Sequence, residues 1–170
     1  RLLGKVPDSI LWLLDCNKWA KQNLLAQATK LGINPDRIIF APRVAIADHL
    51  ARHAHADLFL DTLPYNAHTT CSDALWMGLP VLTCAGDTFA SRVAGSLLMA
   101  ADLPELITDN LKNYEAKAFQ LANNPAELQS IKEKLNMNKS CSRLFDTARF
   151  AKSLEESYQV MWKQKIMLKS

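Results

Sequence analysis

The sequence predicts an α/β domain: a parallel sheet with helices on both faces, followed by a long amphipathic helix. Three observations predict it. Short apolar runs alternate along the chain with longer segments of helical period. The runs are near-continuously apolar, as strands buried on both faces are. No internal repeat or long linker divides the chain, so residues 1–170 read as one domain, with 142–168 as its helical extension.

The first run is Ser9–Leu14 (SILWLL), bounded by Pro7-Asp8 and Asp15 and too short for a helix. Asn17 then caps a helix with Trp19, Leu24, Leu25, Ala28 and Leu31 on one side, stopped at Gly32. Arg37–Phe40 (RIIF) is the second strand, Ile46–His53 a short helix, and Asp57–Leu60 (DLFL) the third strand. A helix over Thr69–Gly78 leads to the fourth strand, Val81–Cys84 (VLTC). Helices follow over Thr88–Ala101, Leu111–Asn123 and Pro125–Asn136, the last with proline at its start. The amphipathic tail helix is expected over Leu144–Leu168, and Trp12, Trp76 and Trp162 are expected in the core.

Composition excludes several classes. With 49% hydrophobic and 22% charged residues the chain can build a core and is not intrinsically disordered. Its 20 basic and 17 acidic residues give +3 with no clustered basic stripe, so no nucleic-acid partner is expected. No apolar run approaches the ~20 residues that span a bilayer, and no membrane partner is expected. Cys16, Cys71, Cys84 and Cys141 show no C-x-x-C spacing and no secretory leader precedes them. They read as buried, reduced thiols of a cytoplasmic protein. The opening Arg1–Pro7 looks like the middle of a helix, as in a piece of a longer protein.

In open parallel sheets, ligands bind beyond the carboxyl ends of the strands. The richest loop there is Asp61–Asp73 (DTLPYNAHTTCSD), which delivers His68, Thr69 and Thr70 to a helix start. Unpaired N–H groups and about half a positive charge make such a start attractive to phosphate. Asp73, about one turn on, is within reach of ribose hydroxyls. Thr70-x-x-Asp73 also resembles a capping box, which would account for both residues without a ligand. In the loop after RIIF, His49 is placed to stack on a base or simply to face solvent. His49, His53 and His55 lack an acidic or cysteine companion at ligand spacing, so no metal site is expected. Ala85–Arg92 offers Gly86 for an unusual turn and Ser91 and Arg92 to a ligand or to the surface. There is no phosphate-binding lysine loop, no G-x-G-x-x-G and no nucleophile elbow.

Several of these segments resemble a known family. V-P-D-S-I-L-W-L-L (Val6–Leu14), R-I-I-F-A-P (Arg37–Pro42), D-H-L (Asp48–Leu50) and A-D-L-F-L-D-T (Ala56–Thr62) belong to the pattern. The most specific are N-A-H-T-T-C-S-D-A-L-W-M-G-L-P-V-L-T (Asn66–Thr83) and G-D-T-F-A-S-R-V-A (Gly86–Ala94), and Ser142–Trp162 is similar too. The chain is similar to the carboxyl-terminal half of O-linked N-acetylglucosamine transferases, the SPINDLY-like group of glycosyltransferase family 41. That resemblance implies a Rossmann-like half of a GT-B glycosyltransferase holding the nucleotide of a sugar donor.

Carried over by matched position, His68, Thr69 and Thr70 would hold the diphosphate and Asp73 the ribose. His49 would stack on uracil, and the backbone near Val44 would pair with the base edge. The resemblance implies transfer of N-acetylglucosamine from UDP-GlcNAc to Ser/Thr hydroxyls, with no metal or other cofactor. GDP-fucose is the alternative donor, and the chain departs from the family at Ile46, Tyr65 and Ala67. No catalytic residue is expected in this segment. The other half of the cleft, the tetratricopeptide repeats that hold the acceptor protein, and a strand before Lys5 would all lie before Arg1. The sheet would then be interrupted at its centre, with rearrangement or a homodimer filling the gap, and the isolated segment would be inactive. Two readings from other classes are a receiver-like phosphate-binding module using Asp15 and Asp61, and an interaction domain using the Leu144–Leu168 helix.

Overall fold

The computed structural model describes residues 1–140 and 142–167, so the expectations for Cys141 and for a helix end at Leu168 lie outside the described residues. The elements alternate as expected. A short α1 (Leu2–Lys5) precedes β1 (Leu11–Leu14), α2 (Lys18–Lys30), β2 (Ile38–Ala41) and α3 (Ile46–Ala51). Then come β3 (Phe59–Leu60), α4 (Thr69–Trp76), β4 (Val81–Cys84), α5 (Val93–Ala100) and β5 (Ile107–Thr108). Three helices close the chain: α6 (Leu111–Asn123), α7 (Pro125–Asn138) and α8 (Thr147–Met167).

Local chemistry sets most boundaries. The Asn17 side chain accepts from Ala20 N at 2.8 Å to open α2, and Gly32 takes φ 71° just past its end. Asn110 caps α6 by accepting from Asn113 N, and Asn124 caps α7 ahead of Pro125. The helix expected over Thr88–Ala101 is broken. Thr88 and Ser91 form a reciprocal capping box that closes a 3₁₀ turn over Phe89–Ser91, and α5 begins only at Val93. Likewise α3 gives way at Arg52 to a 3₁₀ turn ending at His55.

All strand pairs are parallel. β1 runs beside β2 from Leu11↔Ile38 to Leu14↔Ala41, and β4 lies between β3 and β5. No ladder joins β1–β2 to β3–β4–β5 among the described residues, so the sheet is interrupted as expected. The fifth strand was not foreseen, because two residues carry no periodicity. All four residues of β4 are buried, which requires cover on both faces. Around it pack Cys71 and Leu75 of α4, Leu98 of α5, Leu121 of α6 and Leu135 of α7. Each such leucine contributes about 1.5–3 kcal/mol by leaving water.

Three core expectations are corrected. In α2 only Ala28 is buried, while Trp19 is 64% and Leu31 72% exposed, because nothing among the described residues covers that side. Trp76 and Trp162 are also exposed. Trp76 meets the Phe145 ring edge-on at 5.0 Å with the Lys139 ammonium 4.5 Å away, and Trp162 lies on α8, every residue of which is exposed. Cys71 and Cys84 are buried thiols, but Cys16 is exposed beside the α2 cap, where no apolar layer covers it. Among the described residues no helix is long and apolar enough to cross a membrane.

Candidate functional site

Helix α4 begins where the sequence concentrated its polar groups, but without the expected capping box. His68 is the N-cap, no side chain caps the helix, and its first turn holds no acidic residue. Thr70 is the second helical residue, two positions too late to cap, which corrects the Thr70–Asp73 alternative. The His68 carbonyl accepts from Cys71 N and Ser72 N, both at 3.1 Å. The N–H groups of Thr69 and Thr70 have no such partner among the described residues, and both threonines are exposed. The start of α4 therefore presents free donors, the positive end of the helix dipole and two hydroxyls in one place.

The His68 ring is held between two exposed aromatics. It stacks on Tyr65 with centroids 4.9 Å apart and meets Phe89 edge-on at 6.1 Å. Its Nε2 is buried without a hydrogen-bond partner. An orphaned buried nitrogen costs about 1–3 kcal/mol, which a ligand oxygen would offset. Phe89 belongs to the loop after β4, tied to this loop by Asn66 N donating to Ala90 O at 2.9 Å. Gly86 shapes that second loop, since a Cβ there would lie 2.5 Å from Ser91 Oγ. Arg92 turns back to donate to the Gly86 carbonyl at 3.2 Å, while Ser91 is buried within the capping box.

The remaining candidate residues lie on the loop after β2 and on α3. Val44 is exposed there. His49, half-buried in α3, accepts at Nδ1 from Arg52 Nη2 at 2.7 Å, which leaves Nε2 to carry the proton of the neutral ring. Arg52 also donates to the Pro42 carbonyl at 3.0 Å, and its guanidinium sits 5.8 Å from the Trp12 ring. Burial, then the Arg52 charge, then His53 hold the His49 pKa below its ordinary 6.5, while the Asp73 carboxylate works against them. Asp73 lies in α4, one turn past Thr69 and Thr70, and its carboxylate is the one charge acting to raise the His49 pKa.

His53 is buried with Nδ1 bonded to the carbonyls of His49 and Leu50, a packing role. Among the described residues no three His, Cys, Asp or Glu gather to hold a metal ion. Asp15 pairs with Lys21, and both Asp61 oxygens are taken by hydrogen bonds, so neither offers the open acidic pocket of a receiver. Two clefts, of about 400 and 570 Å³, share Ser142 near the α7–α8 junction and are lined by no residue of these loops. The sequence reading missed Arg52, Phe89 and the structural part of Asp61. The spacing of Arg52, three residues after His49 on a helix, was the one usable signal.

The sequence profile of glycosyl transferase family 41 matches residues 1–154. A probable UDP-N-acetylglucosamine–peptide N-acetylglucosaminyltransferase SEC of Arabidopsis thaliana is 40% identical over 162 residues, covering 95% of this chain and 17% of the relative. The UDP-N-acetylglucosamine–peptide N-acetylglucosaminyltransferase of Caenorhabditis elegans is 35% identical, covering 96% and 14%. A probable enzyme of that description, SPINDLY of Solanum lycopersicum, is 32% identical, covering 96% and 18%. Among solved structures, a mutant O-GlcNAc transferase of Thermobaculum terrenum superposes with a TM-score of 0.93 at 29% identity, over 99% of this chain and 33% of that one. The chain thus spans about a sixth of these curated relatives and a third of the solved protein. The fold is the Rossmann-like α/β half that the resemblance implied, and with the profile matched over most of its length the chain belongs to glycosyl transferase family 41.

Proposed function

We propose that this chain is the donor-binding half of a metal-independent, inverting protein O-glycosyltransferase that moves N-acetylglucosamine from UDP-GlcNAc to serine or threonine hydroxyls. The observation that carries the reading is the open start of α4, with His68, Thr69 and Thr70 at its mouth and Asp73 about one turn along. The N–H groups and hydroxyls of Thr69 and Thr70 hold the diphosphate, and His68 Nε2 gains the partner it lacks. Asp73 accepts from the ribose hydroxyls. The neutral His49 ring, fixed by Arg52, stacks on the base, whose edge pairs with the backbone near Val44. The names of the similar proteins favour UDP over GDP, since all three carry UDP-N-acetylglucosamine.

In the reaction the acceptor hydroxyl oxygen forms a bond to the anomeric carbon as the bond to the diphosphate oxygen breaks, and the hydroxyl proton is released to water or to a basic oxygen of the departing diphosphate. Charge grows on the leaving diphosphate, and donors already aimed at it stabilise that charge without reorganising. The acceptor protein and the remaining catalytic groups belong to the part of the protein beyond this chain, which acts in the cytoplasm. Calorimetry with UDP and GDP tests the reading. UDP binds the chain more tightly than GDP. His68→Ala and Asp73→Ala each lose a hydrogen bond to a charged or buried partner, ~1.5–3 kcal/mol, or about tenfold to a hundredfold in affinity. Equal UDP affinity in all three proteins, or a preference for GDP, overturns it.

A further inference from the structure

We propose that Asp61 is the positioning residue of the diphosphate site: its carboxylate pins the loop that sets where α4 begins. The claim rests on the donor-site reading above. Asp61 directly follows β3, is 5% exposed, and meets no candidate ligand position itself. Its Oδ1 accepts from Thr62 N at 2.8 Å and from Ala67 N at 2.7 Å. Those N–H groups belong to the first and last residues of the turn that carries Tyr65, so one oxygen closes the loop at both ends. Oδ2 accepts from Thr83 Oγ1 of the central strand β4 at 2.6 Å, and the Asp61 carbonyl accepts from the Tyr114 hydroxyl of α6 at 2.9 Å. Loop, sheet and helix therefore meet on one residue, the loop and β4 through its carboxylate and α6 through its main-chain carbonyl. The residue after Ala67 is His68, whose carbonyl takes the first two hydrogen bonds of α4.

Energetics argue that this arrangement is for geometry. Burying a carboxylate costs several kcal/mol before its hydrogen bonds are counted, and an apolar residue would fill the space more cheaply. Its negative charge behind the mouth of α4 also opposes a diphosphate. Burial, and after it the Asp61 charge, push the Cys71 thiol up to about 12. A group that costs stability and repels the ligand contributes through the placement of the loop.

Substitutions at Asp61 separate placement from charge. Asp61→Asn keeps an oxygen for Thr62 N and Ala67 N, can donate to Thr83 Oγ1, and carries no charge. Asp61→Ala removes both pins, and Thr83→Val cuts only the link to β4. Two readouts are taken below the melting point of each variant: hydrogen exchange of the 62–70 peptide and calorimetric UDP affinity. Asp61→Ala exchanges faster across 62–70, with β4 and α6 unchanged, and binds UDP at least tenfold more weakly. Thr83→Val shows the same pattern to a smaller degree and keeps the test open if Asp61→Ala does not fold. Asp61→Asn matches or exceeds the wild-type affinity. The proposal is overturned if Asp61→Asn is as weak as Asp61→Ala, or if exchange rises uniformly while the folded variants bind UDP normally. If the wild-type chain binds no UDP, the donor-site reading fails, and local exchange at 62–70 still decides whether Asp61 holds the loop.

Discussion

Replacing Gly86 with alanine tests how tightly the two loops of the site are built against each other. The new Cβ would lie 2.5 Å from Ser91 Oγ and 2.8 Å from Ser91 Cβ, closer than real side chains approach. Ser91 cannot step aside freely. It is buried, its Oγ accepts from Thr88 N at 3.0 Å and donates to the Thr88 carbonyl at 3.0 Å, and its own carbonyl holds Gly86 N at 2.9 Å. Relief requires breaking the capping box or moving the backbone, an overpacking cost of about 1–3 kcal/mol. For a chain of this size that lowers Tm by roughly 2–4 °C per kcal/mol, so a fall of about 2–12 °C is expected by calorimetric melting. Ser91→Gly in the same chain removes the obstructing atoms, so the double variant is more stable than the sum of the single effects by ~0.5 kcal/mol or more. A Gly86→Ala chain melting with the wild type, or strictly additive effects, refutes the steric account. Because Asn66 N bonds to Ala90 O and the Phe89 ring flanks His68, Gly86→Ala also weakens UDP binding.

The depressed pKa of His49 makes part of the stability depend on pH. The folded protein disfavours the charged ring, so this contribution is complete above the ordinary 6.5 and is lost as pH falls through the lower folded value. Urea midpoints taken from about pH 7.5 to 5 decline in the wild type and decline less in His49→Gln. Arg52→Ala removes the second-largest cause and raises the His49 pKa toward 6.5, as followed by NMR of the ring protons; a fall would contradict the assigned field. Thiol labelling with peptide mapping separates the cysteines: the exposed Cys16 reacts in the folded chain, and Cys71, buried with its pKa pushed up to about 12, reacts only on unfolding.

The parts of the fold legible in the sequence are those whose signals are local. Val81–Cys84 was readable because an apolar run is bounded by Pro80 and Ala85-Gly86, and the strand occupies those four residues. The ranges of α6 and the start of α7 follow from Asn110 and Pro125, cap and first-turn residues whose chemistry acts within three positions. What failed depended on neighbours. The Trp19 side of α2 has helical spacing whether or not anything covers it, and periodicity alone places such a face inward. The exposed α8 has the same property: its apolar stripe is as visible in the sequence as a core helix would be.

The site divides along the same line. His68, Thr69 and Thr70 were legible as a helix start after a strand, and Asp73 as the residue one turn along. The capping-box alternative was equally legible and was decided by the backbone: at φ −103° and ψ −93°, His68 rather than Thr70 terminates the loop. Asp61 shows the limit. As an acid at a strand end it reads like a metal or phosphoryl site, because its partners are distant along the chain. Ala67 is six residues away and Thr83 is 22, and neither announces itself as the donor to a carboxylate, while Tyr114, 53 residues on, donates to the Asp61 main-chain carbonyl. A strand-end acid is an open ligand only where its lone pairs are free, and here backbone and threonine donors occupy both oxygens. The same residue type at the same sheet edge thus serves two chemistries, and what decides between them is the return of the loop to Ala67, a tertiary fact.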